Sequence, residues 1–120
     1  MPTTVLIVDD HAGFRRSARE LLESEGFEVV GEAAGGEEAI RVAGRFGPDV
    51  VLLDVGLPDI DGFEVARRLV AGQDPPCVVM VSSREGEDFG SLVAECGACG
   101  FVAKSELSRE SIESFRARRR

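Results

Sequence analysis

The chain has 120 residues, with 22 acidic and 14 basic side chains and a formal net charge of -8. This length allows one domain with a single core, and the acidic balance argues against a segment that grips a nucleic-acid backbone by itself. Because no apolar run exceeds five residues (77–81) and residues 1–4 lack the basic and apolar regions of an export signal, we expect a cytoplasmic protein without a membrane span.

The first half of the chain alternates short apolar runs with amphipathic helical stripes. Residues 5–8 and 50–53 are fully apolar, as in strands buried on both faces, and 28–31 is a weaker strand candidate. Two helices are predicted between these strands, ending near Gly26 and at Gly47 with Pro48. Their predicted inward positions are Phe14, Ala18, Leu21 and Leu22 in the first helix, and Ala39, Ile40, Ala43 and Phe46 in the second.

The second half continues this alternation. Asp61 is predicted to cap a third helix, residues 77–81 and 101–103 to form strands, and a last helix to begin near Ser108. The predicted inward positions of these helices are Phe63, Ala66, Leu69 and Val70, then Phe89, Leu92, Val93 and Cys96, then Ile112 and Phe115. Five strands alternating with five helices predict one α/β domain over 1–120, with a parallel sheet covered on both faces.

Three cysteines are an odd number in a chain without an export signal, which fits a reducing compartment. Cys96 and Cys99 have the C-x-x-C spacing of a redox pair. Because the pair closes a predicted helix and precedes a strand rather than opening a helix, we expect Cys96 to be a core residue and Cys99 a loop residue.

Polar residues follow the predicted strands where those strands end. Asp9 and Asp10 follow the first strand, Asp54 the third, Ser82 the fourth and Lys104 the fifth. Ligands of open parallel sheets bind beyond the carboxyl ends of the strands, so these side chains should share one edge. Three carboxylates there would repel one another unless a divalent cation compensated them. The pattern predicts a metal site that also receives an anionic group.

In this order and spacing, the chain resembles the receiver domain of bacterial two-component response regulators over nearly its whole length. The matching elements are the Asp9-Asp10 pair, Asp54 with Pro58 and Gly62 (D-x-x-x-P-x-x-x-G), Ser82, and Phe101 three residues before Lys104. The resemblance implies a flavodoxin-like, doubly wound (βα)5 sandwich with strand order 2-1-3-4-5, as in the CheY-like chemotaxis member. The Asp9-Asp10-His11 start, Gly31-Glu32-Ala33 and Lys104-Ser105 resemble the NarL/FixJ/LuxR-type subgroup, whose members usually carry a C-terminal helix-turn-helix.

The resemblance implies that Asp54 accepts a phosphoryl group from a sensor histidine kinase or a phosphotransfer protein. Mg²⁺ would be held by Asp9, Asp10, Asp54 and the backbone carbonyl of Gly56. Lys104 would pair first with Asp54 and then with a phosphoryl oxygen. The domain would be regulatory, with no chemistry beyond gain and loss of the phosphoryl group at Asp54.

The resemblance also implies a switch. Ser82 would donate its hydroxyl to the phosphoryl group, and Phe101 would rotate into the space that the moving loop leaves. The altered surface would then control a homodimer or a DNA-binding output domain outside this segment, since this domain itself should bind neither DNA nor membrane.

Two other classes of function stay open beside this one, together with a stand-alone receiver in a phosphorelay. A pseudo-receiver would keep the fold as an interaction module without phosphate chemistry. A phosphatase-like hydrolase would use an aspartyl nucleophile, but such enzymes carry D-x-D, whereas Asp54 is followed by Val55 and Gly56.

Several positions carry narrower expectations. Ser105 replaces the proline that most receivers place after the lysine, so we predict a trans Lys104-Ser105 bond. Gly56 and Arg84 lie where the family tunes the phosphoryl lifetime.

His11 is expected to be a solvated residue opening the first helix rather than a ligand, and Asp59 a turn or cap residue. Residues from about 115 to 120, rich in arginine, either begin a linker or form a solvated basic end.

Overall fold

A parallel sheet of five strands forms the centre of the computed structural model, which describes residues 2–83 and 90–118. The strands are β1 (Thr4–Val8), β2 (Glu28–Ala33), β3 (Val50–Asp54), β4 (Cys77–Ser82) and β5 (Gly100–Ala103). Their order in the sheet is β2-β1-β3-β4-β5, so the predicted fold class and strand order are confirmed.

The helices alternate with these strands along the chain. They are α1 (Ala12–Ser24), α2 (Gly36–Phe46), α3 (Gly62–Val70), α4 (Gly90–Glu95) and α5 (Arg109–Arg118), and a 3-10 turn (Lys104–Glu106) precedes the last. Residues 115–118 therefore belong to α5, whereas Arg119 and Arg120 lie outside the described residues. In the described part of the chain, no helix combines the length and the apolar character that crossing a bilayer requires.

Successive strand residues point to opposite faces, so the sheet separates two hydrophobic cores. One core packs α1 and α5 against the sheet through Ala18, Leu22 and Ile112, with Phe14 and Phe115 at its edge. The other packs α2, α3 and α4 against the opposite face, and its buried helix residues are Ala39, Phe63, Val65, Ala66 and, just after α4, Cys96. β1, β3 and β4 are covered on both sides, as their continuous apolar runs predicted.

Three strands extend beyond their predicted carboxyl ends, and for β3 and β4 the extension places functional residues on the sheet. β3 includes Asp54, which pairs in register with Val81, and β4 includes Ser82, which pairs with Ala103. β2 continues through Gly31 and Glu32 to Ala33 because pairing with β1 outweighs the weak strand propensity of these residues. The carboxylate and the hydroxyl are thus fixed by the backbone ladder rather than by loops.

Two predicted inward positions are wrong. Phe46 has 52% of its surface exposed, since it is the last residue of α2 and Gly47 turns the chain away with φ +55. Leu92 is 41% exposed because α4 is short and places Val93 against the core instead. The predicted inward Phe89 and the predicted lifetime position Arg84 lie outside the described residues.

Two acidic side chains cap helices, as predicted. Asp61 accepts a hydrogen bond from the N–H of Phe63 at 2.7 Å and begins α3. Asp59 accepts from the N–H groups of Gly36 and Glu37 at 2.8 and 3.0 Å, and so ties the loop after β3 to the start of α2. The backbone donors also lower the pKa of Asp59, Glu37 having the largest effect.

The cysteines occupy the predicted positions. Cys96 is buried directly after α4, and Cys99 is half-buried in the connection to β5, where its N–H bonds the carbonyl of Val78 at 2.7 Å. No disulfide joins Cys77, Cys96 or Cys99, all of which lie within the described residues. These contacts agree with packing roles.

Candidate functional site

Four strand ends bring their polar residues to one edge of the sheet. Single ligand atoms of Asp9, Asp10, His11 and Asp54 all lie within 4.8 Å of one another. Beside them opens a cleft of about 340 Å³ whose lining includes Asp54, Gly56, Ser82 and Lys104. All the predicted site residues at strand ends therefore lie together.

Asp9 is the deepest carboxylate of the cluster, with no exposed surface. Its Oδ1 accepts the N–H of His11 at 2.8 Å, and its Oδ2 lies 2.5 Å from Lys104 Nζ. The latter is a close charge contact rather than an aligned hydrogen bond. Asp10 lies toward solvent, with 35% of its side chain exposed.

Lys104 was expected to pair first with Asp54, and the structure places its ammonium group within ion-pair distance of Asp54 but closer to Asp9. Its Nζ is 4.0 Å from Asp54 Oδ2 but 2.5 Å from Asp9 Oδ2. The reason is burial, because Asp9 has no solvent to stabilise its charge and so depends most on a neighbouring cation. The lysine begins the 3-10 turn, and its bond to Ser105 is trans, as predicted.

Burial raises the pKa of Asp54 above its ordinary value, and the charge of Asp9 raises it further. The charge of Lys104 and the N–H of Gly56 act in the opposite direction without cancelling the rise. Among the described residues, three carboxylates thus face the ammonium group of Lys104. Such an oxygen donor set, short of positive charge, fits Mg²⁺, which binds a few carboxylates and keeps several waters.

The two predicted switch residues occupy neighbouring strands. Ser82 is 2% exposed at the end of β4 and lines the cleft. Phe101 is half-buried in β5 opposite Met80 and packs on the sheet face that carries α4. Both are placed as the predicted switch requires, whereas a change of conformation stays a prediction.

His11 is solvated, as expected, but its ring has a position that the sequence did not reveal. The side chain is 72% exposed, and Nδ1 lies 3.1 Å from Oδ1 of both Asp9 and Asp10. The imidazole therefore contacts both carboxylates from the solvent side, beside the start of α1.

Sequence reasoning missed two further residues of the site because nothing in their spacing marked them. Arg15 donates from Nη1 to the carbonyl of Asp9 at 2.5 Å and from Nε to Glu32 at 3.0 Å, so it braces the backbone below the acid pair. Phe14, predicted only as a core residue, lies with its ring centroid 4.5 Å from Lys104 Nζ.

Comparisons with known proteins agree with this arrangement. The family model described as the response regulator receiver domain matches residues 5–115. A putative transcriptional regulator of Pseudomonas aeruginosa is 41% identical over 113 residues, which make up 94% of this chain and 55% of that protein. The putative positive transcription regulator of virulence factors BvgA of Bordetella pertussis is 38% identical over 117 residues, or 98% of this chain and 56% of that protein.

Among solved structures, the signal receiver domain of the putative response regulator NarL from Mycobacterium tuberculosis superimposes with a TM-score of 0.86. It is 30% identical, and the match covers 98% of each chain. The chain thus matches a whole receiver domain but spans only about half the length of the curated relatives.

Proposed function

The chain belongs to the response regulator receiver domain family, and we propose that it accepts a phosphoryl group on Asp54 from a sensor histidine kinase or a phosphotransfer protein. The observation that carries this proposal is the position of Asp54. It ends β3 at the wall of an open cleft, among two further carboxylates and one ammonium group. Phosphoryl transfer asks a protein chiefly for position and charge compensation, which this arrangement supplies.

The donor set supports Mg²⁺ as the cofactor, with Asp9, Asp10, Asp54 and the carbonyl of Gly56 as the residues that would hold it. When bound, the cation would compensate the negative charge that the carboxylates and the phosphoryl oxygens bring together.

The chain's own residues carry the transfer. An Asp54 carboxylate oxygen forms the new bond to phosphorus as the phosphorus–nitrogen bond of the donor phosphohistidine breaks, and the released imidazole takes up a proton. Lys104 is 4.0 Å from Asp54 and places its charge beside the incoming phosphoryl oxygens. Ser82, at the end of the neighbouring strand, donates its hydroxyl to another of them.

The consequence of phosphorylation is regulatory. Movement of Ser82 toward the phosphoryl group would free space for Phe101 and alter the surface near α4 and β5. The chain is similar to transcription regulators. This similarity supports the proposal that the altered surface controls a DNA-binding output region or a homodimer. Its place in the cell would be the cytoplasm, where such kinases act.

A mass measurement tests the proposal. Incubation with Mg²⁺ and acetyl phosphate should add one phosphoryl group to the intact wild-type protein and none to Asp54→Asn. Asp74→Asn, which changes an exposed acid that does not line the cleft, should gain the group as the wild type does. A wild type that gains no mass would be a binding module with the receiver fold, and equal gain by Asp54→Asn would place the acceptor elsewhere.

A further inference from the structure

The Lys104 ammonium group has an aromatic neighbour as well as two acidic ones. Its Nζ lies 4.5 Å from the centroid of the Phe14 ring, within the range of a cation–π interaction. Phe14 stands in the first turn of α1, whereas Lys104 follows β5, so the contact joins two elements distant in the chain. The lysine side chain is only 14% exposed, and such attraction grows when the cation is withdrawn from water.

These neighbours act on the lysine in different ways. Asp9, at 2.5 Å, neutralises much of its charge, and Asp54, at 4.0 Å, draws it toward the cleft. A lysine is a point charge on a flexible four-carbon stem and has no fork that fixes its direction. The ring of Phe14 attracts the ammonium without carrying a charge, so it restricts the position of Nζ and leaves the positive charge for an incoming anion.

We propose that Phe14 is a positioning residue, whose ring face holds the Lys104 ammonium between Asp9 and Asp54, ready to receive a phosphoryl oxygen. The inference rests on the proposed function of Asp54 and deepens it. An aliphatic side chain of similar volume would fill the same edge of the core but would not attract the cation.

Fluorination of the ring tests this attraction with little change of shape. Phenylalanine with one, two and three ring fluorines, incorporated at position 14, carries progressively less negative charge on its face. The rate of Asp54 phosphorylation by acetyl phosphate should fall stepwise, by about three- to ten-fold at three fluorines. The same series at Phe46, which lies 5.5 Å from Arg45 and is 52% exposed away from the cleft, should leave the rate unchanged. An unchanged rate across the position-14 series would overturn the proposal.

A second measurement does not depend on phosphorylation. In the wild-type protein, the ring current of Phe14 should shift the ε-methylene protons of Lys104 upfield in its NMR spectrum. Phe14→Tyr, which keeps an aromatic face, should retain the shift, and Phe14→Leu should lose it. Ordinary Lys104 resonances in the wild type would contradict the positioning role. An upfield shift in a protein that gains no phosphoryl mass would instead remove the proposed function of Asp54 and leave the contact standing.

Discussion

Lys104 is bound more closely to Asp9 than to Asp54, with Nζ 2.5 Å from the first carboxylate and 4.0 Å from the second. Before any phosphoryl group arrives, the charge of the lysine therefore compensates chiefly the more deeply buried carboxylate, Asp9. Asp54 remains accessible from the cleft and only partly compensated.

Replacement of the lysine should reveal how much the fold depends on this pair. Lys104→Met in EDTA should lower the free energy of unfolding by about 2–4 kcal/mol, because Asp9 would then be a buried charge without its cation. Urea unfolding measures the change. The double variant Lys104→Met with Asp9→Asn should lose less than Lys104→Met alone, and an equal or larger loss would contradict this role of Asp9.

Asp54 should be a source of instability in the metal-free protein at neutral and alkaline pH. Its folded-state pKa is raised above the ordinary 3.8, so the ionised carboxylate opposes folding above the folded pKa. That cost disappears as the pH falls through the folded pKa toward 3.8. Asp54→Asn should therefore be more stable than wild type in EDTA at about pH 8, with the advantage vanishing near pH 4.

Mg²⁺ provides the control for that comparison. Since a dication compensates the carboxylate, MgCl2 should raise the melting temperature of the wild type more than that of Asp54→Asn. Equal shifts in both proteins would mean that Asp54 does not contribute to metal binding.

Asp59, in the loop between β3 and α3, caps α2, and its replacement should destabilise the protein in a pH-dependent way. Asp59→Ala leaves the N–H groups of Gly36 and Glu37 without their acceptors, so the free energy of unfolding should fall. The pKa of Asp59 is depressed, so its contribution is present above 3.8 and is lost as the pH falls through the lower folded pKa. Urea unfolding should show a constant difference from wild type at pH 5–8 that shrinks under strongly acidic conditions. Asp74→Ala, at an exposed loop position, is the matched control.

A side chain at position 62 should destabilise the protein. An added Cβ would lie 2.4 Å from the carbonyl oxygen of Asp54 and 2.9 Å from Val55 Cα, and neither backbone atom can move freely. Gly62→Ala should therefore cost about 1–3 kcal/mol of stability and slow phosphorylation by displacing Asp54.

Gly13 provides a control that distinguishes a steric clash from the mere replacement of a glycine. In Gly13→Ala the new Cβ meets nothing within 4 Å inside α1, so stability should be unchanged or rise by up to about 1 kcal/mol. Thermal unfolding and the phosphorylation rate would be measured on both variants, and equal behaviour of the two would refute the clash.

The sequence was sufficient for the strands and for the grouping of their polar ends, because hydrophobic periodicity indicates which segments are strands and parallel strands end at a common edge. The order of the strands in the sheet came from the family resemblance. The sequence was insufficient for features that depend on the three-dimensional positions of side chains. Periodicity does not show that Phe46 projects beyond the sheet, and spacing does not show which of two acids lies deeper beside Lys104. The approach of Phe14 to Lys104 joins residues at opposite ends of the chain, so no local pattern encoded it.

The residues that react and the residues that a partner would contact are held by different parts of the backbone. Asp54 and Ser82 end adjacent strands whose hydrogen bonds fix their register, whereas residues 56–61, which follow Asp54, lie outside the sheet. Exchanges in this segment that spare Gly56 and the capping residues Asp59 and Asp61 would change which donors reach the carboxylate without altering the spacing between acceptor and hydroxyl. Specificity for new partners can therefore be engineered at this edge of the sheet while the reacting groups keep their geometry.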